Sequence, residues 1–258
     1  MVFDIWGTGL TDVGRKREQN EDSYLCDLHS RLFIVADGMG GCTLGETASK
    51  VVVTLFPRMF EEGIAALPFP TCPPDAVLRV FEDTLCRLSQ ELYRQSQKMS
   101  SLKGLGSTVA ALFLYDDLAY IAYAGDSRIY VLRDADLIQV TEDQTTAAAL
   151  VRLGEIAPEV AARHPLRHAL EEYIGKEGAL NPGLHYEKLC VGDRWLLCSD
   201  GLTKGMDEQA ICDCLLHHPT PEDACYNLIT TAKDVDGTDN ITAIVVDVTR
   251  ANMHREGE

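Results

Sequence analysis

Four aspartates in this chain stand where an apolar run meets a turn. Asp37 lies in LFIVADGMGG, after the apolar run Leu32–Ala36 and before glycines 38, 40 and 41. Asp126 lies in IAYAGDS, Asp200 in LLCSDG, and Asp239 in GTDN just ahead of the run ITAIVVDV. A short apolar run bounded by turn residues reads as a buried strand. A single Asp-Gly after such a strand is an ordinary turn signal. Its recurrence is what points to chemistry, because strand ends of stacked sheets converge at one edge. Carboxylates gathered there repel one another unless cations neutralise them. Hard oxygen ligands without clustered Cys or His select Mg2+ or Mn2+ over zinc. Two such ions about 3.5–4 Å apart activate a water for in-line attack on phosphorus.

The elements that must position these groups can be followed along the chain. Residues 3–11, 23–27 and 31–36 read as strands, the last two as a hairpin across His29-Ser30. Apolar residues at helical spacing (Ala48, Val51, Val52, Leu55, Phe56, Met59) predict a helix over 44–62, with Pro57 as a kink or break. A loop with four prolines follows at 63–74, then a second amphipathic helix over 75–97. Residues 107–115, 118–125, 129–133 and 137–141 form an antiparallel meander. Residues 143–180 are rich in helix formers and read as a helical flap between strands. Strands at 183–189 and 194–199, helices at 207–216 and 221–233, and a last strand at 241–248 complete the pattern, with a charged tail at 251–258. Segregated strand and helix blocks predict an α+β fold, two stacked antiparallel sheets flanked by helices, in one domain over residues 1–250.

Composition narrows the function classes. With 23 basic against 40 acidic residues the net charge is −17, which disfavours nucleic acid and anionic membranes as partners. No apolar run approaches the ~20 residues of a membrane span, and the N-terminal residues lack a signal-peptide pattern. Nine cysteines, an odd number without a CxxC pair, fit reduced, cytoplasmic usage.

The ordered motifs resemble the metal-dependent protein phosphatases, the type 2C Ser/Thr phosphatases, and in particular their short bacterial members. They are REQNED with Arg17 five residues before Asp22, ADGMGG at 36–41, GETAS at 45–49, GST at 106–108, GDSR at 125–128, SDGL at 199–202 and DN at 239–240. The resemblance spans Gly9 to Val248 and implies a four-layer αββα sandwich with a binuclear Mg or Mn site at one end. It implies that Asp37 bridges two ions, that the Gly38 carbonyl with Glu21 or Asp22 completes one, and that Asp200 and Asp239 hold the other. Asp126 matches a carboxylate that binds a third ion in bacterial relatives, and Arg17 matches a phosphate clamp. The implied activity is hydrolysis of phosphoserine and phosphothreonine in proteins, with attack by a metal-bridging water and without a covalent nucleophile. The implied partners are phosphorylated proteins, including substrates of Ser/Thr kinases, and a monomer is expected.

Departures from that pattern matter. Met39 replaces a histidine that some relatives offer as general acid, which leaves the leaving group without a side-chain proton donor there. Cys42 stands where many bacterial relatives have histidine and reads as a small loop residue. Asp143-Gln144-Thr145 replaces Asp-His-Ser on the substrate side of the flap, so Asp143 and Thr145 are candidate substrate-side residues. His164 and His168 read as structural. A competing reading is a catalytically silent, phosphatase-like regulatory or phosphoprotein-binding module. A haloacid-dehalogenase-type phosphatase is excluded, because residues 37–39 lack the second aspartate its nucleophile motif needs.

Overall fold

The computed structural model describes residues 3–40, 44–98, 104–161 and 163–250. Gly41, Cys42 and the charged tail at 251–258 lie outside the described residues. Two antiparallel sheets stack face to face. One has the order β1-β11-β10-β7-β8, built from β1 (Phe3–Asp12), β7 (Arg128–Arg133), β8 (Asp136–Gln139), β10 (Arg194–Cys198) and β11 (Ile241–Arg250). The other has the order β2-β3-β5-β6-β9, built from β2 (Asp22–Asp27), β3 (Leu32–Met39), β5 (Val109–Tyr115), β6 (Leu118–Ala124) and β9 (Gly183–Lys188), with β4 (Gly106–Ser107) paired to the end of β3. The predicted α+β sandwich is therefore present.

Strand periodicity explains why the sandwich has three hydrophobic layers. Successive side chains of a strand face opposite sides, so Phe33 and Val35 of β3 point between the sheets while Leu32, Ile34 and Ala36 point outward. The inner layer joins Phe33, Val35, Leu112, Ile121, Trp195, Leu197, Ile244 and Val246. The outer face of the β3 sheet is covered by α1 (Leu44–Ala65) and α2 (Pro74–Lys98), which bury Val52, Phe56, Phe60, Phe81 and Leu85. The outer face of the other sheet is covered by α5 (Asp200–Gly205), α6 (Glu208–His217) and α7 (Pro221–Val235) through Leu202, Ile211, Leu215 and Leu228. Side-chain caps start α6 and α7. The Asp207 carboxylate accepts from Ala210 N at 2.9 Å and the Thr220 hydroxyl from Asp223 N at 3.1 Å.

Three local expectations change. Pro57 does not break α1, which runs unbroken through it because Phe56 and Phe60 on either side are both held in the outer core. The segment 143–180 is less helical than its composition predicts. Among the described residues it holds only the short helices α3 (Thr146–Arg152) and α4 (Pro158–Ala161); an isolated bridge Ser107↔Ile174 pins it to the sandwich, and a second, Thr145↔Leu170, closes the segment on itself. The strand ending at Cys198 leads directly into α5, where the sequence suggests only an Asp-Gly turn. That helix starts against β11 because Gly201 has no side chain: a Cβ there would meet the Asn240 carbonyl oxygen at 1.9 Å.

Truncating Phe33, fully buried between the sheets, should destabilise the protein by about 3–5 kcal/mol. Urea unfolding of Phe33→Ala monitored by circular dichroism should show the midpoint fall accordingly, with the native spectrum retained in buffer.

Candidate metal centre

The face that carries Phe33 and Val35 also carries Asp37, two residues further along β3. The same alternation puts Asp22 in line with Tyr24 and Cys26 on β2, and Thr242 in line with Ile244 and Val246 on β11. The inner apolar layer thus ends, at one edge of the sandwich, in a polar group. Ser199 Oγ and Thr242 Oγ1 both donate to Asp22 Oδ2, at 2.7 and 2.6 Å, while the buried Asp22 Oδ1 has no hydrogen-bond partner. Asp22 and Asp37 are register partners across the hairpin.

Asp37 is held by its backbone. Its N–H donates to Thr108 Oγ1 at 2.9 Å, and its carbonyl accepts from Thr108 N at 2.8 Å and Ser107 Oγ at 3.0 Å. The GST motif is therefore the clamp that fixes the end of β3. Thr108 is linked onward to Ser127 at 2.7 Å, beside Asp126. Gly38 packs so closely that a Cβ would lie 2.0 Å from the Gly45 carbonyl oxygen, and Gly38 N donates to the Glu21 carbonyl at 3.0 Å. Asn240 ties down the loop ahead of β2: its Oδ1 accepts from Glu21 N and its Nδ2 donates to the Val13 and Gln19 carbonyls.

The carboxylates interact strongly. Burial first, and then the charges of Asp22, Asp200, Asp126 and Asp239, hold the Asp37 carboxyl well above the usual carboxylate range. Burial and the neighbouring Asp200 and Asp143 push Asp126 up to about 7. Burial pushes Asp22 up to about 6, with Asp200 and Asp239 adding to it and the two hydroxyl donors opposing it. Asp239 moves the other way. Burial alone would raise it, but the hydrogen bond and charge of Lys204, with Arg17 beyond, bring it below its ordinary value.

Two cationic side chains answer part of this charge. Lys204 Nζ lies 2.5 Å from Asp200 Oδ2 and 2.8 Å from Asp239 Oδ2. Arg17 Nε lies 2.9 Å from Asp239 Oδ1, with Nη1 3.7 Å from Glu21 Oε2, at the exposed lip of the site. Buried acceptors still lack partners on Glu21 (Oε1), Asp22 (Oδ1) and Asp200 (Oδ1). An unpartnered buried carboxylate oxygen costs energy unless something positive meets it. All-oxygen donors at one edge with orphaned lone pairs fit hard divalent cations.

A cleft of about 780 Å³ opens beside these groups, lined by Asp126, Asp143, Thr145, His168, Asp200 and Lys204 among others. The structure brings together all the sequence-predicted residues, with differences in detail. Asp143 is engaged by Arg128 through two contacts of 2.8 Å. Thr145 caps α3, accepting from Ala148 N at 3.2 Å. Gln144, between them, is buried and accepts from Gly125 N at 3.0 Å, so it tethers this segment to the Asp126 turn. His168, expected to be structural, faces the cleft with Nδ1 3.9 Å from Asp200 Oδ2, and its ligand atom groups with those of Asp126 and Asp200. His164 is local, its Nδ1 accepting from Leu166 N at 3.2 Å. Lys204 and His168 are the residues that sequence reasoning missed. The i,i+4 spacing of Asp200 and Lys204 on one helix was the available signal for the first; for the second there was none, since the fold alone carries it to Asp200.

The sequence profile described as protein phosphatase 2C matches residues 13–220. The serine/threonine phosphatase stp of Listeria monocytogenes serotype 4b (strain F2365) is 33% identical over 240 residues, covering 92% of this chain and 93% of its own. The serine/threonine protein phosphatase PstP of Mycobacterium tuberculosis (strain ATCC 25618 / H37Rv) is 33% identical over 239 residues, with 92% of this chain matched to 44% of PstP. Among solved structures, the catalytic domain of PstP in complex with two manganese ions superposes with a TM-score of 0.82 at 30% identity, covering 96% of this chain and all of that one (100%). The S. agalactiae serine/threonine phosphatase does so with a TM-score of 0.84 at 29% identity, covering 94% and 99%. The sandwich, the converging carboxylates and these likenesses agree, and the chain belongs to the protein phosphatase 2C family.

Proposed function

We propose that this chain is a metal-dependent protein serine/threonine phosphatase that hydrolyses phosphoserine and phosphothreonine in protein substrates. The observation that carries this reading is the set of buried, partly orphaned carboxylate oxygens at one end of the sandwich, in a chain of the protein phosphatase 2C family. Asp37, among the clustered carboxylates, would help to hold a pair of Mg2+ or Mn2+ ions. The Gly38 carbonyl and Glu21 would complete one, with Asp22 beneath them as a charge partner locked by Ser199 and Thr242. Asp200 and Asp239 would hold the other, and Asp126 with Asp200 and His168 offers a third, more open position. When bound, these ions supply the activated water nucleophile and neutralise the incoming phosphate.

The protein's own groups do the positioning. Arg17 is oriented through Nε by Asp239, with Nη1 on the side of Glu21, and its guanidinium at the lip of the site would grip phosphate oxygens. The clamp of Thr108 and Ser107 on Asp37 fixes the backbone from which its carboxylate projects. Met39 has no ionisable proton, so that side chain does not protonate the leaving group. Residues 143–180 act as a flap on the substrate side, held to the Asp126 turn by Gln144, with Asp143 and Thr145 at the cleft wall. No helix among the described residues is long and apolar enough to cross a membrane. The free thiols among the described residues fit a reducing compartment, the cytoplasm.

Phosphopeptide hydrolysis measured with Mn2+ should stop on complete chelation by EDTA. Turnover that survives chelation would sink the reading, and metal-stimulated binding of phosphopeptide without turnover would favour a silent binding module instead. Asp37→Asn and Asp200→Asn should each lower kcat by at least about 1,000-fold, the scale of losing a group that stabilises the transition state. Their circular dichroism spectra should match the parent. Arg17→Ala removes charge-assisted hydrogen bonds to phosphate of about 1.5–3 kcal/mol. Steady-state kinetics should then show kcat/KM falling about 10- to 100-fold, with manganese still bound.

A further inference from the structure

Lys204 sits in the last turn of α5, four residues after Asp200. Its ammonium lies between two carboxylates from different elements: Asp200 at the start of that helix, and Asp239 in the loop before β11. Asp200 turns its second oxygen, Oδ1, into a buried position without a partner. The backbone around Lys204 cannot retreat, because Leu202 is fully buried and Gly205 abuts α7, where a Cβ would meet the Ala232 carbonyl oxygen at 2.5 Å. The side chain can move. Its stem is flexible, and Lys204 itself lines the open cleft beside the site.

A divalent ion held by Asp200 and Asp239 would need their oxygens at about 2.0–2.1 Å, the magnesium–oxygen distance, in the space this ammonium takes. Two cations cannot share it at such distances. We propose that Lys204 is a tethered counter-cation: in the metal-free protein it holds the place of the ion between Asp200 and Asp239, and it must swing into the cleft before that ion binds. This rests on the reading of Asp200 and Asp239 as ligands of one ion. The lysine offsets half the charge of the two carboxylates when metal is scarce, and so lessens their repulsion. By linkage, whatever it adds to the metal-free protein is subtracted from the affinity of the ion that displaces it. The ion pairs of this ammonium are to Asp200 and Asp239, so it is the ion between these two that Lys204 opposes, and Lys204 sets the metal concentration at which that position fills.

The test is calorimetric titration of the full chain with MnCl2 after stripping with EDTA, comparing wild type, Lys204→Met and Asp239→Asn. Methionine keeps the length of the side chain and removes the charge. Lys204→Met should bind the weaker manganese ion at least about tenfold more tightly. Its melting temperature without metal should fall by about 2–4 °C, and manganese should more than restore it. Asp239→Asn should weaken manganese binding. If Asp239→Asn binds as wild type does, the ligand assignment itself is wrong. If Asp239→Asn weakens binding but Lys204→Met binds with wild-type affinity, the ligands stand and the lysine's role is overturned. A measurement on wild type covers the chance that Lys204→Met does not fold. Acetylation of Lys204, read by mass spectrometry, should increase when manganese saturates the protein, because the amine has left its carboxylates. Labelling that manganese leaves unchanged overturns the proposal.

Discussion

Carboxylate crowding at one end of a β-sandwich is the constraint on which the rest of this structure depends. Asp22, Asp37, Asp126, Asp200 and Asp239 act on one another through a region that water reaches poorly, and the first three are pushed upward by burial and by their neighbours' charge. A protein can carry such a group only if something positive or hydrogen-bonding meets it. Here the response comes in parts. Hydroxyls of Ser199 and Thr242 satisfy one oxygen of Asp22, and Lys204 and Arg17 take both oxygens of Asp239. What they leave unanswered is the affinity for divalent cations.

The sandwich makes the crowding possible because strand alternation does double use. On β3, β2 and β11 one face builds the inner apolar layer, and the same face delivers Asp37, Asp22 and Thr242 at its end. The apolar residues that hold the sheets together and the polar residues at this edge of the site are thus one continuous stripe. Losing packing in the stripe would move the carboxylates with it. Groups outside the strands add rigidity: Asn240 fixes the approach to β2, Gln144 fixes the Asp126 turn to the flap, and Thr108 fixes Asp37.

Much of this was legible in the sequence because it is local. Alternating runs announced the strands and helical spacing announced α1, α2, α6 and α7, while the Asp-Gly junctions marked the ends that would meet. Where reading failed, tertiary contacts had overruled a local preference. Pro57 argues for a break in any isolated helix, but two flanking phenylalanines already committed to the core keep α1 whole. Helix formers over 143–180 yield only short helices among the described residues, since the segment is pinned to Ser107 by one bridge and closed on itself by another between Thr145 and Leu170. The turn after Cys198 becomes a helix because Gly201 can approach Asn240.

By itself, then, the sequence determined the α+β class, most of the order of the elements and which carboxylates stand where an apolar run meets a turn, all of which follow from short-range pattern and residue chemistry. Only the tertiary structure decided how those carboxylates are balanced. Lys204 reaches both Asp200 and Asp239, whose positions are 39 residues apart in the chain, and His168 reaches the same aspartate from a segment of turns. Charge compensation depends on distance in space and on access to water. Neither is encoded in spacing along the chain, so a lysine that reads as one more soluble residue becomes the counter-ion of the site.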